Sequence, residues 1–469
     1  MAFKYEALAG QLAASIRSSI LKAGSALPSL RHFAELHSVS LSTATKTYNL
    51  LEQQGLIWVK PQSGYFVRAE FTDKMPKRFL SQATLVKQDT SDVIFEVLQN
   101  AMRPDLVPLG GGCLPPELLP IEELQRSLYR AARRSPAAAY SYGHQLGYQG
   151  LRDAISEQLA KRHCHIAPSQ LLITNGCLEA VNLAVMECTV VNDVVAIFTP
   201  CYSGLLMALK QAGRQILEIP CNQSGPDLDY LAALMEEQKF KALIFSAIAY
   251  NPLGFNLSVA VKKRLAALIM HYKIPSIEDD AFGELGFMHE QTTPVFAYAN
   301  QLDNQNNCIT YCSSFSKPLA SGFRIGWLGR ADSVSVFAKH KMNLNLTSSL
   351  PAQVGLADYL FSEGYRAHLK RLSVEIEKRL NQMAQLIQTY FPSSVAICQP
   401  KGGLFLWLEF LAHVDSMDFY QAALAQGISV SPGEIFSMTG RYKNCVRLTI
   451  GLTNEIKLEA AIKKLSELV

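Results

Sequence analysis

The sequence predicts an α/β chain in two parts. A small N-terminal module of three helices and a β-hairpin precedes a large body with a mainly parallel sheet and helices on both faces. Three observations carry this. Apolar residues recur at helical spacing through the first fifty positions and then alternate as in strands. From about residue 93, strand-like runs are separated by helical stretches. The 469 residues are 49% apolar, ample for more than one core.

Tyr5, Leu8, Leu12, Ile16 and Ile20 fall on one helical face, so residues 3–21 read as the first helix. Ala23-Gly24 break it. Pro28 suits the first turn of a second helix over 28–37, with Leu30, Phe33 and Ala34 inward. A tight turn at Ser38-Val39-Ser40 follows, and Ser42 can cap a third helix over 43–53, which Gly55 ends. Leu56 to Val59 and Tyr65 to Val67 then alternate as strands around the turn Pro61-Gln62-Ser63-Gly64. That order is a winged helix-turn-helix. Its third helix is narrow enough for the major groove and carries Ser42, Thr43, Thr45 and Lys46 on its polar face, while Ala44, Tyr48 and Leu51 pack inward. Lys60, Ser63 and Gly64 of the wing and Arg31 of the second helix are placed for phosphates.

Charge agrees with a polyanionic partner. Residues 1–70 carry seven Lys/Arg against four Glu, an excess of +3 within a whole-chain net charge of +4. A helical dimerisation cap is the bland alternative. Leu27-Pro28-Ser29-Leu30-Arg31, Ser40-x-x-Thr43, Tyr48-x-x-Leu51-Glu52-x-x-Gly55-Leu56-Ile57 and Ser63-Gly64-Tyr65-Phe66-Val67 resemble GntR-type repressors instead. The resemblance implies a double-stranded DNA operator as partner. Leu41 departs from that family's usual basic or amide residue and removes one polar DNA contact.

Residues 69–92 mix charge and small polar residues without an apolar face and read as a flexible linker. Beyond it, strands are expected over 170–174, 194–198, 242–246, 275–278, 307–313 and 325–329. In such sheets ligands collect at the carboxyl ends of strands. The ten cysteines lack paired spacing and read as buried thiols of a reducing compartment, with no metal site at His163-Cys164-His165. No apolar run approaches the ~20 residues of a membrane helix, and a cytoplasmic location is expected.

Ser313-Ser314-Phe315-Ser316-Lys317-Pro318-Leu319 follows a strand, and Arg324 stands seven residues beyond the lysine. A lysine among hydroxyls with a nearby guanidinium suits an aldehyde cofactor bearing a phosphate: the amine takes the aldehyde, and Ser314, Ser316 and Arg324 hold the phosphate. The string resembles the cofactor-lysine segment of fold-type I pyridoxal 5′-phosphate (PLP) enzymes. Tyr250-Asn251-Pro252-Leu253-Gly254 and Ile277-Glu278-Asp279-Asp280-Ala281-Phe282 extend the likeness in the same chain order. The resemblance implies that Lys317 is the catalytic lysine, that Asn251 bonds the cofactor's 3-oxygen and that Asp279 pairs with the ring nitrogen. It also implies that Gly176, Cys177 and Leu178, at a helix N-terminus, approach the phosphate, that Tyr202 faces the ring, that Tyr142 reaches the phosphate of the other subunit and that Arg447 takes an α-carboxylate.

Together these implications describe the MocR subgroup of GntR-family regulators. The fold is then a winged helix-turn-helix over residues 1–68, a linker over 69–92 and a fold-type I aminotransferase-like domain over 93–469. That domain divides into a large subdomain over about 126–354 and a smaller α+β one over about 93–125 and 355–469. A head-to-tail homodimer follows, with PLP or an amino-acid adduct of it as effector. Phe282 stands where active aminotransferases place a tyrosine that bonds the 3-oxygen, and Leu178 where they place a polar residue. Two readings stay open: a PLP-sensing transcriptional regulator, and a working aminotransferase with an accessory DNA-binding domain. Phe282 and Leu178 favour the first.

Overall fold

The computed structural model describes every residue except 1–3, 18–19, 22–24, 54–55, 61–63, 68–81, 87–90, 135, 288–291 and 453. The chain divides into two units, Met1–Asp73 and Lys74–Val469.

In the first unit, helices α1 (Lys4–Arg17), α2 (Leu30–Leu36) and α3 (Leu41–Gln53) precede the strands β1 (Ile57–Lys60) and β2 (Gly64–Val67). The strands pair antiparallel from Ile57–Val67 to Lys60–Gly64. Phe33, Ala34, Ala44, Tyr48, Leu51, Ile57 and Val67 form the core with Ala9, Ala13 and Ile16. The buried stripe of α1 is thus turned from the expected one: Ile20 is 76% exposed and lies beyond the helix. Alanines at 9 and 13 let α1 approach α3 closely, which the larger Leu8 and Leu12 at the margin would not.

Both helix starts differ from expectation for one reason, the choice of cap. Ser29, not Pro28, begins α2: its Oγ accepts from the His32 amide at 3.2 Å. Pro28 stays outside and offers its carbonyl to the Tyr48 hydroxyl at 2.9 Å. Ser40, not Ser42, caps α3, since its Oγ accepts from the Thr43 amide at 3.1 Å. The cap therefore lies two residues earlier and Leu41 becomes helical. Replacing Ser40 by alanine is expected to destabilise this unit by about 1 kcal/mol, checked as a lowered urea midpoint of its unfolding with the denaturant slope unchanged.

The second unit is built on a nine-stranded sheet. From one edge it runs β3 (Thr84–Leu85), Gln215–Asn222, Val194–Thr199, Ala242–Phe245, Ser276–Asp279, Ile309–Ser314, Gly326–Gly329 and Leu171–Thr174, with Gly225–Pro226 pairing off the path. The central strands are parallel, while Gly326–Gly329 runs antiparallel to both neighbours. The parallel strands are almost wholly buried, as expected of strands covered on both faces. A second, antiparallel sheet orders Ala396–Cys398, Phe405–Glu409, Cys445–Thr449 and Ser431–Pro432. The 28-residue helix Glu363–Tyr390 and the helix Glu455–Ser466 pack on each other beside it.

The segment read as a flexible linker is partly ordered. β3 adds to the sheet edge, and Arg441 Nη2 donates to the Gln82 carbonyl at 2.9 Å and the Thr84 hydroxyl at 2.8 Å. Helix α4 (Ser91–Asn100) then starts inside the expected linker. A short edge strand is held by backbone groups and leaves no apolar alternation to read. The strand Gln215–Asn222, also unforeseen, is its partner. None of the ten cysteines forms a disulfide, but Cys113 is exposed and Cys188, Cys221 and Cys308 are half-buried, against the expectation of buried thiols. No helix among the described residues is long and apolar enough to cross a membrane.

Candidate functional site

The parallel strands Ala242–Phe245, Ser276–Asp279 and Ile309–Ser314 bring three expected residues to one sheet edge. Asp279 ends its strand, Lys317 follows its own by three residues, and Asn251 follows by six. Lys317 Nζ donates to the Gly112 carbonyl at 2.7 Å and lies 5.5 Å from the centre of the Phe282 ring. Burial lowers the pKa of this amine. Arg447 and Arg324 act in the same direction, against the Cys113 thiol and the Asp279 carboxylate.

Asp279 Oδ1 accepts from the Cys177 thiol at 3.2 Å and from the Ala281 amide at 3.1 Å, and Ser246 donates to its carbonyl. Burial raises its carboxyl pKa most, with a smaller push from Asp280. Asp280 has its own counter-charge: Oδ2 accepts from Arg162 Nη1 at 2.6 Å and from the Tyr311 hydroxyl at 2.5 Å. Asp280 is fully buried and Arg162 nearly so. That guanidinium compensates the buried Asp280 carboxylate beside Asp279. Sequence reading missed Arg162, which lies 118 residues from Asp280 in the chain and carries no local signature.

Two glycines shape the other end of the site. Gly176, at a φ of 96°, caps the helix Cys177–Cys188, whose first amides belong to Cys177 and Leu178. A Cβ on Gly176 would lie 2.6 Å from Arg324 Nη2, and one on Gly326 would lie 2.4 Å from the Gly176 carbonyl carbon. Only hydrogens at both positions let the guanidinium lie against the helix N-terminus. Arg324 Nη2 donates to the Asn175 carbonyl at 3.1 Å and Nη1 reaches Ser316 Oγ at 3.4 Å. Ser314 Oγ accepts from the Ser316 amide at 3.4 Å. Tyr202 caps the neighbouring helix Ser203–Gln211, and burial, seconded by Asp279, raises its phenol pKa.

Arg447, on the strand Cys445–Thr449, enters from the second sheet and is 5% exposed. Its Nη1 donates to Asn251 Oδ1 at 3.0 Å. Its Nη2 donates to the carbonyls of Gly110 at 2.7 Å and Gly111 at 3.0 Å and to Ser431 Oγ at 3.1 Å. The rings of Phe405 and Phe436 lie 4.2 and 5.0 Å from the guanidinium carbon. Burial works against this charge, and the acceptors and ring faces hold it. Its Nε is buried without a partner. Phe405, Ser431 and the Gly110–Gly112 carbonyls were not foreseen, because they act through backbone or through rings that read as core. Leu178 is half-buried and Phe282 buried against Phe405. Tyr142 is 87% exposed and is not brought to this site within the single chain.

In the first unit, Arg31, Ser42, Lys46 and Gly64 are exposed as expected of a DNA-facing surface. In two of the expected base readers the hydroxyl is engaged within the helix. The Thr43 hydroxyl bonds Ser40 Oγ at 2.9 Å, and Thr45 Oγ1 donates to the Leu41 carbonyl at 2.9 Å. Both hydroxyls satisfy the helix itself, the usual fate of threonine within a helix or beside its cap. Asn49, unforeseen, is exposed one turn beyond Thr45. Ser63 and the side chain of Lys60 lie outside the described residues.

An amine, a carboxylate and a guanidinium at a glycine-shaped helix N-terminus are spaced along one sheet edge, and a second, buried guanidinium enters from the other sheet. That donor set fits PLP: Lys317 for its aldehyde, Asp279 for its ring nitrogen, and Arg324 with the helix N-terminus for its phosphate. Among the described residues, no group of three or more His, Cys, Asp or Glu could hold a metal.

The second unit is thus of the PLP-binding aminotransferase class. Residues 120–465 match the aminotransferase class I and II family, and residues 4–67 match the gntR family of bacterial regulatory proteins. The chain is 34% identical to the uncharacterized HTH-type transcriptional regulator YdcR of Escherichia coli strain K12, with 99% of both chains covered. It is 29% identical to the regulator YjiR of the same strain, covering 99% of this chain and 98% of the other. The kynurenine aminotransferase of Pyrococcus horikoshii superposes with a TM-score of 0.74 at 26% identity, over 81% of this chain and 95% of that one. The chain belongs to the GntR regulators that carry an aminotransferase class I and II domain, the MocR architecture, and PLP is the cofactor of that domain.

Proposed function

We propose that this chain is a cytoplasmic transcriptional regulator that uses its aminotransferase-like unit to sense PLP, or an adduct of PLP with an amino acid, and so adjusts its hold on an operator. One observation carries the reading: a gntR unit and an assembled Lys317–Asp279–Asn251–Arg324 site share one chain. PLP, when bound, supplies an aldehyde that captures amines and a ring that withdraws electrons. The chain's residues do the rest. Lys317 offers an amine whose charge burial disfavours. Asp279, steadied by Cys177 and the Ala281 amide, would pair with the ring nitrogen and keep it protonated. Arg324 would neutralise the phosphate and Ser316 would hydrogen-bond it, beside the amides of Cys177 and Leu178. Arg447 offers its guanidinium to an α-carboxylate.

The absent hydroxyl at Phe282 removes one donor to the 3-oxygen, which favours binding over turnover. The exposure of Tyr142 supports a head-to-tail homodimer in which that tyrosine completes the partner's phosphate site. Selection of bound duplexes from a genomic library, with and without PLP, tests the reading. Affinity for the recovered operator is expected to change about tenfold with PLP, ~1.4 kcal/mol. If neither the recovered sequences nor their affinity responds to PLP, the sensing role fails. Steady turnover of an amino acid with a keto acid would instead favour the aminotransferase reading.

A further inference from the structure

Leu41 is the apolar member of a polar surface. On α3, Ala44, Thr47, Tyr48 and Leu51 are buried, so Leu41, Ser42, Lys46 and Asn49 are left outward with Thr45 half-buried between them. Leu41 occupies the first position of the helix and is 50% exposed. An exposed leucine alone is ordinary; the place of this one decides. In helix-turn-helix modules the first turn of the recognition helix contacts base edges. The two threonine hydroxyls in that turn are engaged, Thr43 with Ser40 and Thr45 with the carbonyl of Leu41 itself, while Ser42 stays exposed. Beside Ser42, the turn therefore presents the Leu41 side chain as an apolar group where a polar one was expected.

Cations lie around it. Arg31 lines the same shallow groove as Leu41, together with Ala34, one carboxylate at Glu35, Ser38 and Val39. Lys4 Nζ donates to the Ser38 carbonyl at 3.4 Å, and Lys46 stands five residues along α3. An apolar contact flanked by Arg31 and Lys4 fits a phosphate-flanked surface with a hydrocarbon group in its floor. In duplex DNA the major groove presents one such group, the C5-methyl of thymine.

We infer that Leu41 reads the C5-methyl of a thymine in the operator, so that a specificity contact is apolar where a polar one is lost. The inference rests on the regulator reading above. The full-length protein and the operator it selects provide the test, with each thymine replaced in turn by deoxyuridine, which lacks only that methyl. One thymine per half-site should respond, uracil there lowering wild-type affinity about three- to tenfold, the worth of one methyl group buried. Leu41→Ala should bind thymine and uracil operators alike at that position and keep the wild-type response to base changes elsewhere. An unchanged unfolding midpoint and PLP absorbance show that the variant is folded. Indifference of the wild type to uracil at every position, or discrimination that survives in Leu41→Ala, overturns the inference alone. Failure of the wild type to enrich any duplex overturns the regulator reading and this inference with it.

Discussion

Replacing Lys317 by alanine is expected to abolish the visible absorbance of lysine-bound PLP and to weaken PLP retention by at least about a hundredfold, ~2.7 kcal/mol. Affinity for the operator in the absence of PLP should stay within about twofold of wild type, because the substitution lies in a unit separate from α3. The structural cost should be small. Lys317 is half-buried, and its removal takes the side-chain partner from one acceptor alone, the Gly112 carbonyl. The loss therefore separates sensing from DNA binding. The sign of the amine's pKa shift adds a pH dependence. Burial holds the pKa below that of an ordinary lysine, so the neutral amine that captures the aldehyde persists to lower pH than for an exposed lysine. Absorbance titration against pH and a DNA-binding isotherm with and without PLP check both statements. A variant whose operator affinity still responds to PLP as the wild type does would show that the response arises elsewhere than at this lysine.

What the sequence made legible follows from how far apart the cooperating residues lie. Asn251, Asp279, Lys317 and Arg324 each stand in a short string after a strand, and parallel pairing brings those strand ends together. The order of strings along the chain was therefore enough to assemble the site. Arg162 was not legible, since only folding carries it across 118 residues to Asp280. Nor were the Gly110 and Gly111 carbonyls on Arg447, which any residue could supply in sequence terms. In the first unit the order of helices and hairpin was plain from periodicity, but the caps were not. Ser29, Ser40 and Ser42 all suit an N-cap by type, and the competition is decided by which oxygen reaches an amide two or three residues on. That two-residue shift placed Leu41 on the helix and turned the Thr43 hydroxyl toward Ser40. β3 escaped notice because a two-residue edge strand is specified by its partner and by Arg441.

Replacing Arg447 by methionine is expected to remove recognition of a carboxylate while sparing the ring and phosphate of the ligand. The comparison is between two saturated amines that cannot react with Lys317: pyridoxamine phosphate, and the reduced adduct of PLP with L-leucine, which adds a carboxylate. Wild type should favour the adduct by about ten- to a hundredfold, the range of a charge-assisted hydrogen bond. In the variant that preference should fall to near unity. Stability should fall as well, by about 2–5 kcal/mol. Removing the cation relieves its own desolvation but strands the Gly110 and Gly111 carbonyls, Ser431 Oγ and Asn251 Oδ1 in a buried place. Arg447→Lys separates the two effects. It keeps the charge and loses the planar fork, so it should recover much of the stability and little of the preference. Titration calorimetry with the two ligands and urea unfolding of the three proteins give the measurements. If Arg447→Met retained the wild-type preference for the adduct, the carboxylate would be bound elsewhere. The guanidinium would then be a structural tie between the second sheet and the Gly110–Gly111 backbone, and an amino-acid effector would lose its recognition residue.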